Sequence, residues 1–264
     1  MSVPQPRQVG IISWLGIRAL LRRALTRFMK ESWNSIGGPI VSSLLFLAVF
    51  ALAAGGRAEI VPGLGVLAFV APGLVVVVMG MNAFTYAAMP LLEDKIEGII
   101  MDLLAAPLSA FELVCGYALA ATFCGLLVGT LVLALTGLFV DYAIHDLAAL
   151  VGFGVLAALL FAVLGALVGL WADRWEHYSA AENFLILPLG FLSGAFFSLA
   201  ELPELARQLI ALNPIFYLID GVRYGLTGHA EANLGAGVLY VGSLTLVLWV
   251  LLWRLFVRGY KIKA

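Results

Sequence analysis

Long apolar stretches separated by short polar segments dominate the chain. A transmembrane helix needs about 20 predominantly apolar residues. Six stretches meet that requirement, at 36–54, 66–92, 111–140, 147–171, 179–199 and 236–257. The second and third are longer than one bilayer thickness, so we expect them to tilt or to project beyond the membrane. The pattern predicts an all-α integral membrane protein with six transmembrane helices.

The segment between the fifth and sixth predicted spans, about 200–235, follows a different pattern. It holds two short apolar runs, each below the length of a span, that are broken at Asn213-Pro214. Such runs suit short re-entrant or interfacial helices, whose irregular backbone is tolerated where protein buries it. Asp220 and Arg223 are three residues apart on the second run, so a helix would bring them together. Tyr217 and its aromatic neighbours suit an aromatic belt at the membrane surface equally well.

The composition agrees with a membrane protein and excludes a soluble globular domain. Apolar residues make up 63% of the 264 positions and charged residues 12%, against about 45–50% and about 25% in soluble domains. One soluble core could not bury so large an apolar excess. The net charge of −1 provides no overall field that would attract nucleic acid.

The distribution of basic residues predicts the orientation of the spans. Of the 15 Lys and Arg residues, only Arg57, Arg207 and Arg223 fall between the odd-numbered spans and the even-numbered spans that follow them. The other 12 precede the first span, follow the second or fourth span, or end the chain. Since basic residues concentrate in cytoplasmic loops, both termini are predicted to be cytoplasmic.

The segment before the first span is basic and amphipathic. Between residues 13 and 32, apolar side chains recur at spacings of three and four, which predicts one stripe of a helix: Trp14, Ile17, Leu21, Leu25 and Phe28. A basic amphipathic helix of this kind lies in the cytoplasmic headgroup plane. We therefore expect a cytoplasmic N-terminal segment over 1–35 and a six-helix domain over 36–264.

The loop after the second span, residues 91–109, is unusual for a cytoplasmic loop because most of it is acidic or aliphatic. Acidic residues at the start of a short helix would favour its positive N-terminal dipole, and the aliphatic residues after Gly98 would then pack into a groove on a partner. A loop that packs on its own chain is the alternative. The docking residues predicted here are Glu93, Asp94, Lys95, Glu97, Gly98, Ile99, Ile100, Leu103 and Leu104.

Glycine pairs spaced by four residues occur in three predicted spans, at Gly125/Gly129, Gly165/Gly169 and Gly190/Gly194. Such spacing permits close helix approach. With 28 glycines in the chain, the pairs also arise often by chance.

Several chemical motifs are missing from the sequence. There is no G-x-x-x-x-G-K-[ST], so the chain is not a P-loop ATPase by itself, and there is no H-E-x-x-H or G-x-S-x-G. Cys115 and Cys124 have no C-x-x-C spacing, so we expect buried thiols and no metal site. An ATPase-independent carrier or channel and a membrane assembly scaffold are candidate functions, whereas a membrane enzyme is disfavoured because the sequence has no cluster of catalytic side chains.

The whole chain resembles the membrane subunit of a bacterial ABC-2 type transporter, which is the permease of an ABC exporter. The resemblance spans the chain and rests on the N-terminal amphipathic helix and four sequence segments. These segments are 69–74 (FVAPGL), 93–98 (EDKIEG), 103–108 (LLAAPL) and 213–225 (NPIFYLIDGVRYG). Because exporters of many cargoes share these motifs, they indicate the class and not the cargo.

The resemblance implies a role for each region. The loop containing Glu93 to Leu104 would be the coupling helix that fits a separate ATP-binding subunit, present in two copies, which would bind ATP and Mg²⁺. Two permease copies would form the path, with these residues near it: Asn82, Tyr86, Leu189, Phe196 and Phe197. Re-entrant helices would close the path on the outer side, with these residues at the gate: Asn213, Pro214, Tyr217, Asp220 and Arg223. The chain itself would bind no cofactor, would lie among the lipids of the bacterial inner membrane, and would not bind nucleic acid.

Overall fold

The computed structural model describes residues 14–30, 33–53, 59–61, 63–106 and 108–262. Within these residues the chain is mainly α-helical, with one short antiparallel hairpin of β1 (Glu59–Val61) and β2 (Leu64–Gly65). The helices are α1 Trp14–Lys30, α2 Gly38–Ala53, α3 Val66–Ile96, α4 Ile99–Ala105, α5 Ala110–Thr136, α6 Leu147–Trp171, α7 Trp175–Ala181, α8 Leu187–Phe191, α9 Glu204–Ala211, α10 Pro214–Thr227 and α11 Leu234–Arg258.

Five helical stretches of the described chain are long and apolar enough to cross a membrane. They are Ser35–Ala53, Val66–Ile96, Ala110–Thr136, Leu147–Trp171 and Leu234–Arg258, and they correspond to five of the six predicted spans. The predicted span at 179–199 is instead a shorter run, in which α7, a π-helical turn (Glu182–Ile186) and α8 follow one another. The chain leaves helical geometry at Leu192. An all-α membrane protein is thus confirmed, while the count of six spans stays a prediction.

α3 is the centre of the bundle and packs along α5 and α6. Its buried hydrophobic residues from Val76 to Leu92 belong to one core cluster that also contains much of α6 and α10. Pro72 and Pro90 lie within α3, and each removes one backbone N–H from the helix. The bundle therefore surrounds its longest helix, and the functional residues predicted at 69–104 lie on or next to it.

Two of the three predicted glycine pairs are sites of close helix packing. A Cβ atom on Gly165 would lie 2.2 Å from the carbonyl oxygen of Phe84, and one on Gly125 would lie 2.8 Å from that of Met79. Gly169 and Gly129 show similarly close approaches to α3. The pair Gly190/Gly194 is different, because Gly190 would make only ordinary contacts and Gly194 lies outside the helix with φ +68°.

α1 packs on the bundle largely through the predicted stripe, of which Trp14 alone is exposed. Ile17 and Phe28 are buried, as the spacing predicts, and Leu20 lies over Gly116 of α5. Trp14, the first residue of the predicted stripe, is 76% exposed. α1 is therefore a helix that rests on α5, and its outward face is free to contact lipid headgroups.

We call the end of the bundle that holds α1, α4 and residues 259–262 the terminal side. The opposite end, which holds the hairpin, α9 and the loop 228–233, is the distal side. Residues 1–13, within the predicted N-terminal segment, lie outside the described residues.

Candidate functional site

The loop predicted to dock a partner is a helix, a tight turn and a second helix on the terminal side. α3 continues beyond the predicted end of the second span, to Ile96. Gly98 then adopts a left-handed backbone conformation (φ 77°), and α4 starts at Ile99. Residues with a Cβ atom disfavour this conformation, so glycine at this position permits the short turn. Ser109 forms a capping box with Glu112 at the start of α5, which fixes the other end of the loop.

Glu93 and Asp94 do not start the short helix, which corrects the sequence-based expectation. They lie near the end of α3, where the helix dipole is negative and disfavours a carboxylate. Two arginines of α1 compensate: Arg23 pairs with Asp94 at 2.5 Å, and Arg27 pairs with Glu93. Tyr117 of α5 also donates its hydroxyl to Asp94 at 2.5 Å. A buried carboxylate needs such partners, so the cluster ties α3 to α1 and α5.

Lys95 ties the same stretch to the end of α6. Its ammonium donates to the carbonyl oxygens of Leu170 at 2.7 Å and Ala172 at 2.6 Å, and reaches that of Gly169 at 3.4 Å. The last carbonyls of a helix have no partner inside the helix, so Lys95 caps α6 from another helix. Its side chain is only 9% exposed, which means that it is not available as a free surface charge.

The chain's C-terminal turn joins this cluster through Asp173. Lys261 donates to Asp173 at 2.6 Å and to the carbonyl oxygen of Trp171 at 2.8 Å, and Lys95 lies 3.7 Å from Asp173. The hydrogen bond from Lys261 lowers the pKa of Asp173 below its ordinary value. Ile262 is buried in the same core cluster as Ile100. The end of α11 is thereby fixed beside α4.

The predicted docking residues divide into buried and exposed groups. Ile100 is 4% exposed and faces the chain's own core, and Leu103 packs against that core. Ile99 is half-buried, and the side chain of Leu104 lies outside the described residues. The exposed surface contains Glu97, Gly98 and three further residues of the predicted loop: Ile96, Met101 and Asp102.

A groove of about 490 Å³ lies beside this exposed surface. The turn between α3 and α4 forms one wall, with Ile96 and Met101, and Lys261 and Asp173 form part of the other. Apolar side chains next to paired charges make a surface that is suited to another protein. No local signal in the sequence identifies Lys261 or Asp173, because Asp173 pairs with Lys261 and with Lys95 from distant parts of the chain.

On the distal side, Asn213 and Pro214 are at the start of α10. The Asn213 side chain caps this helix by accepting from the N–H of Ile215, and it donates to the carbonyl oxygens of Leu189 and Leu192. Pro214 occupies the first turn, where a missing N–H costs nothing. One amide therefore joins the end of α8 to the start of α10. Whether α9 and α10 re-enter a membrane stays a prediction.

Asp220 and Arg223 form the predicted pair, with 3.6 Å between a carboxylate oxygen and a guanidinium nitrogen, and both side chains are fully buried. Tyr217 is half-buried and donates its hydroxyl to the carbonyl oxygen of Ala211. The predicted distal residues therefore share α10 or its cap.

The five residues predicted near a transport path do not form one cluster in the single chain. Asn82 donates to the carbonyl oxygen of Val78 in its own helix, and Tyr86 contacts Phe28 of α1. Phe196 packs against Phe46 and Phe50 of α2. Leu189 lines a cavity with Asn213, and Phe197 packs in a separate cluster with Leu199 and Phe216.

Comparison with known proteins gives a consistent result. A family model described as "ABC-2 type transporter" matches residues 16–227. The chain is 30% identical over 245 residues to the "Inner membrane transport permease YadH" of Escherichia coli (strain K12), an alignment that covers 91% of this chain and 96% of that protein. It is 28% identical over 245 residues to "Nodulation protein J" of Rhizobium leguminosarum bv. viciae, covering 91% of each.

Proposed function

The chain belongs to the ABC-2 type transporter family, and from this membership we propose that it is the membrane-spanning permease subunit of an ATP-driven exporter. It would lie in a bacterial inner membrane with both termini in the cytoplasm, so that the terminal side faces the cytoplasm. A separate ATP-binding subunit, in two copies, would supply ATP, Mg²⁺ and hydrolysis. No catalytic role is assigned to the permease.

The observation that carries this proposal is the exposed α3–α4 turn, which is anchored to four other parts of the chain. Asp94 links it to Arg23 on α1 and Tyr117 on α5. Lys95 links it to the end of α6, and Asp173 extends that link to Lys261. A loop that only connected two helices would not need buried charged side chains to anchor it to the rest of the chain.

In the proposed mechanism, ATP binding draws the two partner subunits together and moves the attached α4 helices. Because α4 follows directly on the end of α3, which is anchored to α1, α5 and α6, its displacement would reach helices that cross the membrane. The permease would then exchange two arrangements whose relative free energies depend on the partner. The energy comes from the partner, and the permease converts it into movement of the spans.

A second permease copy would complete the path. The run from α7 to α8 leaves large apolar side chains uncovered in the single chain, with Phe184 at 84% and Phe191 at 52% exposure. α2 is also largely uncovered, since only 11% of the residues in the most apolar stretch of the span Ser35–Ala53 are buried. We assign part of this surface to a second copy and the rest to membrane lipids. Asn82, Tyr86, Leu189, Phe196 and Phe197 would lie near the path in that dimer.

The test is affinity purification of the tagged chain from its native membranes under gentle crosslinking. We expect a soluble P-loop protein to copurify at about one per permease, with ATP hydrolysis in the eluate. Glu97→Arg, at the exposed turn, should greatly reduce its recovery. Glu204→Arg is the matched control, since Glu204 is an exposed glutamate on the distal side, and it should leave recovery unchanged.

Two outcomes would contradict this function. A chain that purifies alone and without ATPase activity would favour an ATPase-independent carrier or channel, or an assembly scaffold. Equal loss of the ATPase in both variants would indicate general damage and would remove the docking role from the α3–α4 turn.

A further inference from the structure

Arg223 on α10 is a charged side chain near the distal side that has no exposed surface. Its guanidinium lies over the ring of Phe69, 3.8 Å from the ring centroid, where a cation is attracted to the π face. Such a charge is costly to bury unless hydrogen bonds replace water. The atoms that it contacts therefore show what the arginine holds in place.

Those contacts join two separate segments. Nε of Arg223 donates to the carbonyl oxygen of Phe69 at the start of α3, at 3.2 Å, and Nη2 donates to that of Gly194 at 2.8 Å. Gly194 lies in the segment 192–198, between α8 and α9. A second observation supports the closeness: a Cβ on Gly73 of α3 would lie 2.7 Å from the Cα of Ala195. Arg223 thus holds this segment across the start of α3.

Asp220 fixes a third element. Its carboxylate accepts from the backbone N–H of Glu231 at 3.0 Å and of Ala232 at 2.9 Å, in the loop between α10 and α11. Glu231 in turn accepts from the hydroxyl of Ser198 and from the N–H of Leu199. The segment 192–199 is therefore held at both ends, by Arg223 at Gly194 and by Glu231 at Ser198.

We propose that Arg223, Asp220 and Glu231 form a distal latch: they hold the segment 192–199, α10 and the start of α3 together as one rigid unit that closes the distal end of the chain. Arg223 is a positioning residue, since it acts through the carbonyls that it holds. That the closed end belongs to a transport path rests on the proposed function; the rigidity of the unit does not.

The contacts of Arg223 also indicate which movement the latch would oppose. Moving the segment 192–199 away from α3 would remove the carbonyl of Gly194 from Arg223 and leave Nη2 of the buried guanidinium without a hydrogen-bond acceptor, which is energetically unfavourable. Nη1 of Arg223 already has no hydrogen-bond acceptor among the described residues. We therefore expect the segment 192–199, α10 and the start of α3 to move together. Any opening would then occur between this unit and its surroundings.

The test is the reactivity of a buried thiol in the held segment. Ser193 is fully buried, so Ser193→Cys, in a chain with Cys115 and Cys124 replaced by alanine, should react slowly with a charged, membrane-impermeant maleimide. The part of the latch that Arg223 forms at Gly194 and Phe69 is removed by combining Arg223→Met with Asp220→Asn. This pair leaves no unpaired charge, and the amide oxygen still accepts from the loop N–H groups. We expect labelling to rise at least about tenfold, as the open population of the segment rises.

Two controls separate the latch from general loosening. Glu204→Gln removes the carboxylate of an exposed pair of the same spacing on α9 but keeps Arg207, which donates to the carbonyl oxygen of Leu199. It should change labelling less than about twofold, since exposed pairs contribute little. Ser43→Cys reports on a buried site of α2 and should stay unreactive in the latch variant. Equal labelling of Ser193→Cys with and without the latch would overturn the proposal, as would a rise at both cysteines.

If the double variant cannot be purified in folded form, Arg223→Lys decides. A single ammonium replaces the two nitrogens that hold different carbonyls, so faster labelling of Ser193→Cys supports the latch and an unchanged rate refutes it. All these measurements are made on the permease without nucleotide. Failure to recover an ATPase would therefore reject the proposed function and leave the latch result standing.

Discussion

At the scale of single residues, the closest contacts between helices occur at glycines, which have no Cβ atom. Gly165 brings α6 so close to α3 that a methyl group would overlap the carbonyl oxygen of Phe84. Neither backbone can yield without moving a whole helix. Gly152, on the same helix, has open space around the same position. The two glycines therefore differ in role although they differ little in local sequence.

Gly165→Ala should destabilise the protein by about 1–3 kcal/mol, the usual cost of overpacking. Gly152→Ala should be neutral or stabilising by about 0.5–1 kcal/mol, because alanine favours a helix more than glycine. Thermal unfolding in detergent measures both. A loss of similar size at Gly152 would show that helix flexibility, and not close packing, explains the requirement for glycine.

The second residue-scale contrast concerns two tyrosine hydroxyls. Tyr117 donates to the buried carboxylate of Asp94 at 2.5 Å, whereas Tyr142 donates to the neutral hydroxyl of Thr136 at 3.1 Å. Hydrogen bonds to charged groups contribute more, at about 1.5–3 kcal/mol against about 0.5–1.5 kcal/mol. Tyr117→Phe should therefore lower the free energy of unfolding more than Tyr142→Phe. Equal losses in chemical denaturation would contradict the importance of Asp94 as an anchored charge.

At the scale of elements, α4 has an inner and an outer face, and neighbouring residues fall on different ones. Ile100 is 4% exposed and Met101 is 52% exposed. A carboxylate at Ile100 would be buried without a partner, which proteins rarely tolerate. A carboxylate at Met101 would be in solvent on the surface that we propose to bind the ATPase.

We therefore expect Ile100→Asp to reduce the yield of folded permease, with a loss of several kcal/mol. Met101→Asp should change the stability by no more than about 0.5 kcal/mol, as for most surface substitutions, yet should reduce recovery of the ATPase. Size-exclusion chromatography and copurification separate the two effects. Normal copurification with Met101→Asp would place the docking surface elsewhere on the terminal side.

The existence of most elements follows from the sequence, but the positions of their charges do not. The apolar runs predict α2, α3, α5, α6 and α11, because length and hydropathy are local properties. The acidic residues at 93–94 predict the start of a helix by the same local reasoning, and that prediction is wrong. Arg23 and Arg27 neutralise them from about 70 positions away, and no rule that considers neighbouring residues can include that pairing.

At the scale of the whole molecule, the helices differ strongly in how much the single chain covers them. In the most apolar stretch of each span, 61% of the residues of α3 are buried, against 11% for the first span and 17% for α11. A soluble protein could not leave such helices uncovered, because water would face their apolar side chains. The distribution indicates a central helix enclosed by its own chain and peripheral helices that face lipid or a second copy.

The number of spans is a testable property at this scale. Six spans place both termini on one side of the membrane, whereas the five long helices alone would place them on opposite sides. We expect a reporter that fluoresces only in the cytoplasm to be active when fused to either terminus. A reporter active only outside the cytoplasm should be active when inserted after Asp141. A C-terminal fusion that is dark in the cytoplasm would show that the run from α7 to α8 does not cross.

Local composition and motifs are enough to predict that this protein lies in a membrane, where five of its membrane-spanning helices lie, and which family it resembles. These are properties of local composition and of motifs, and they need no knowledge of distant residues. Three features emerge only when the chain is folded: which side chains of the α3–α4 turn are exposed, the capping of α6 by Lys95, and the contacts of Arg223 with two carbonyls in separate segments. Each of these depends on groups brought together by packing, because a buried charge is defined by its neighbours in space and not by those in the chain.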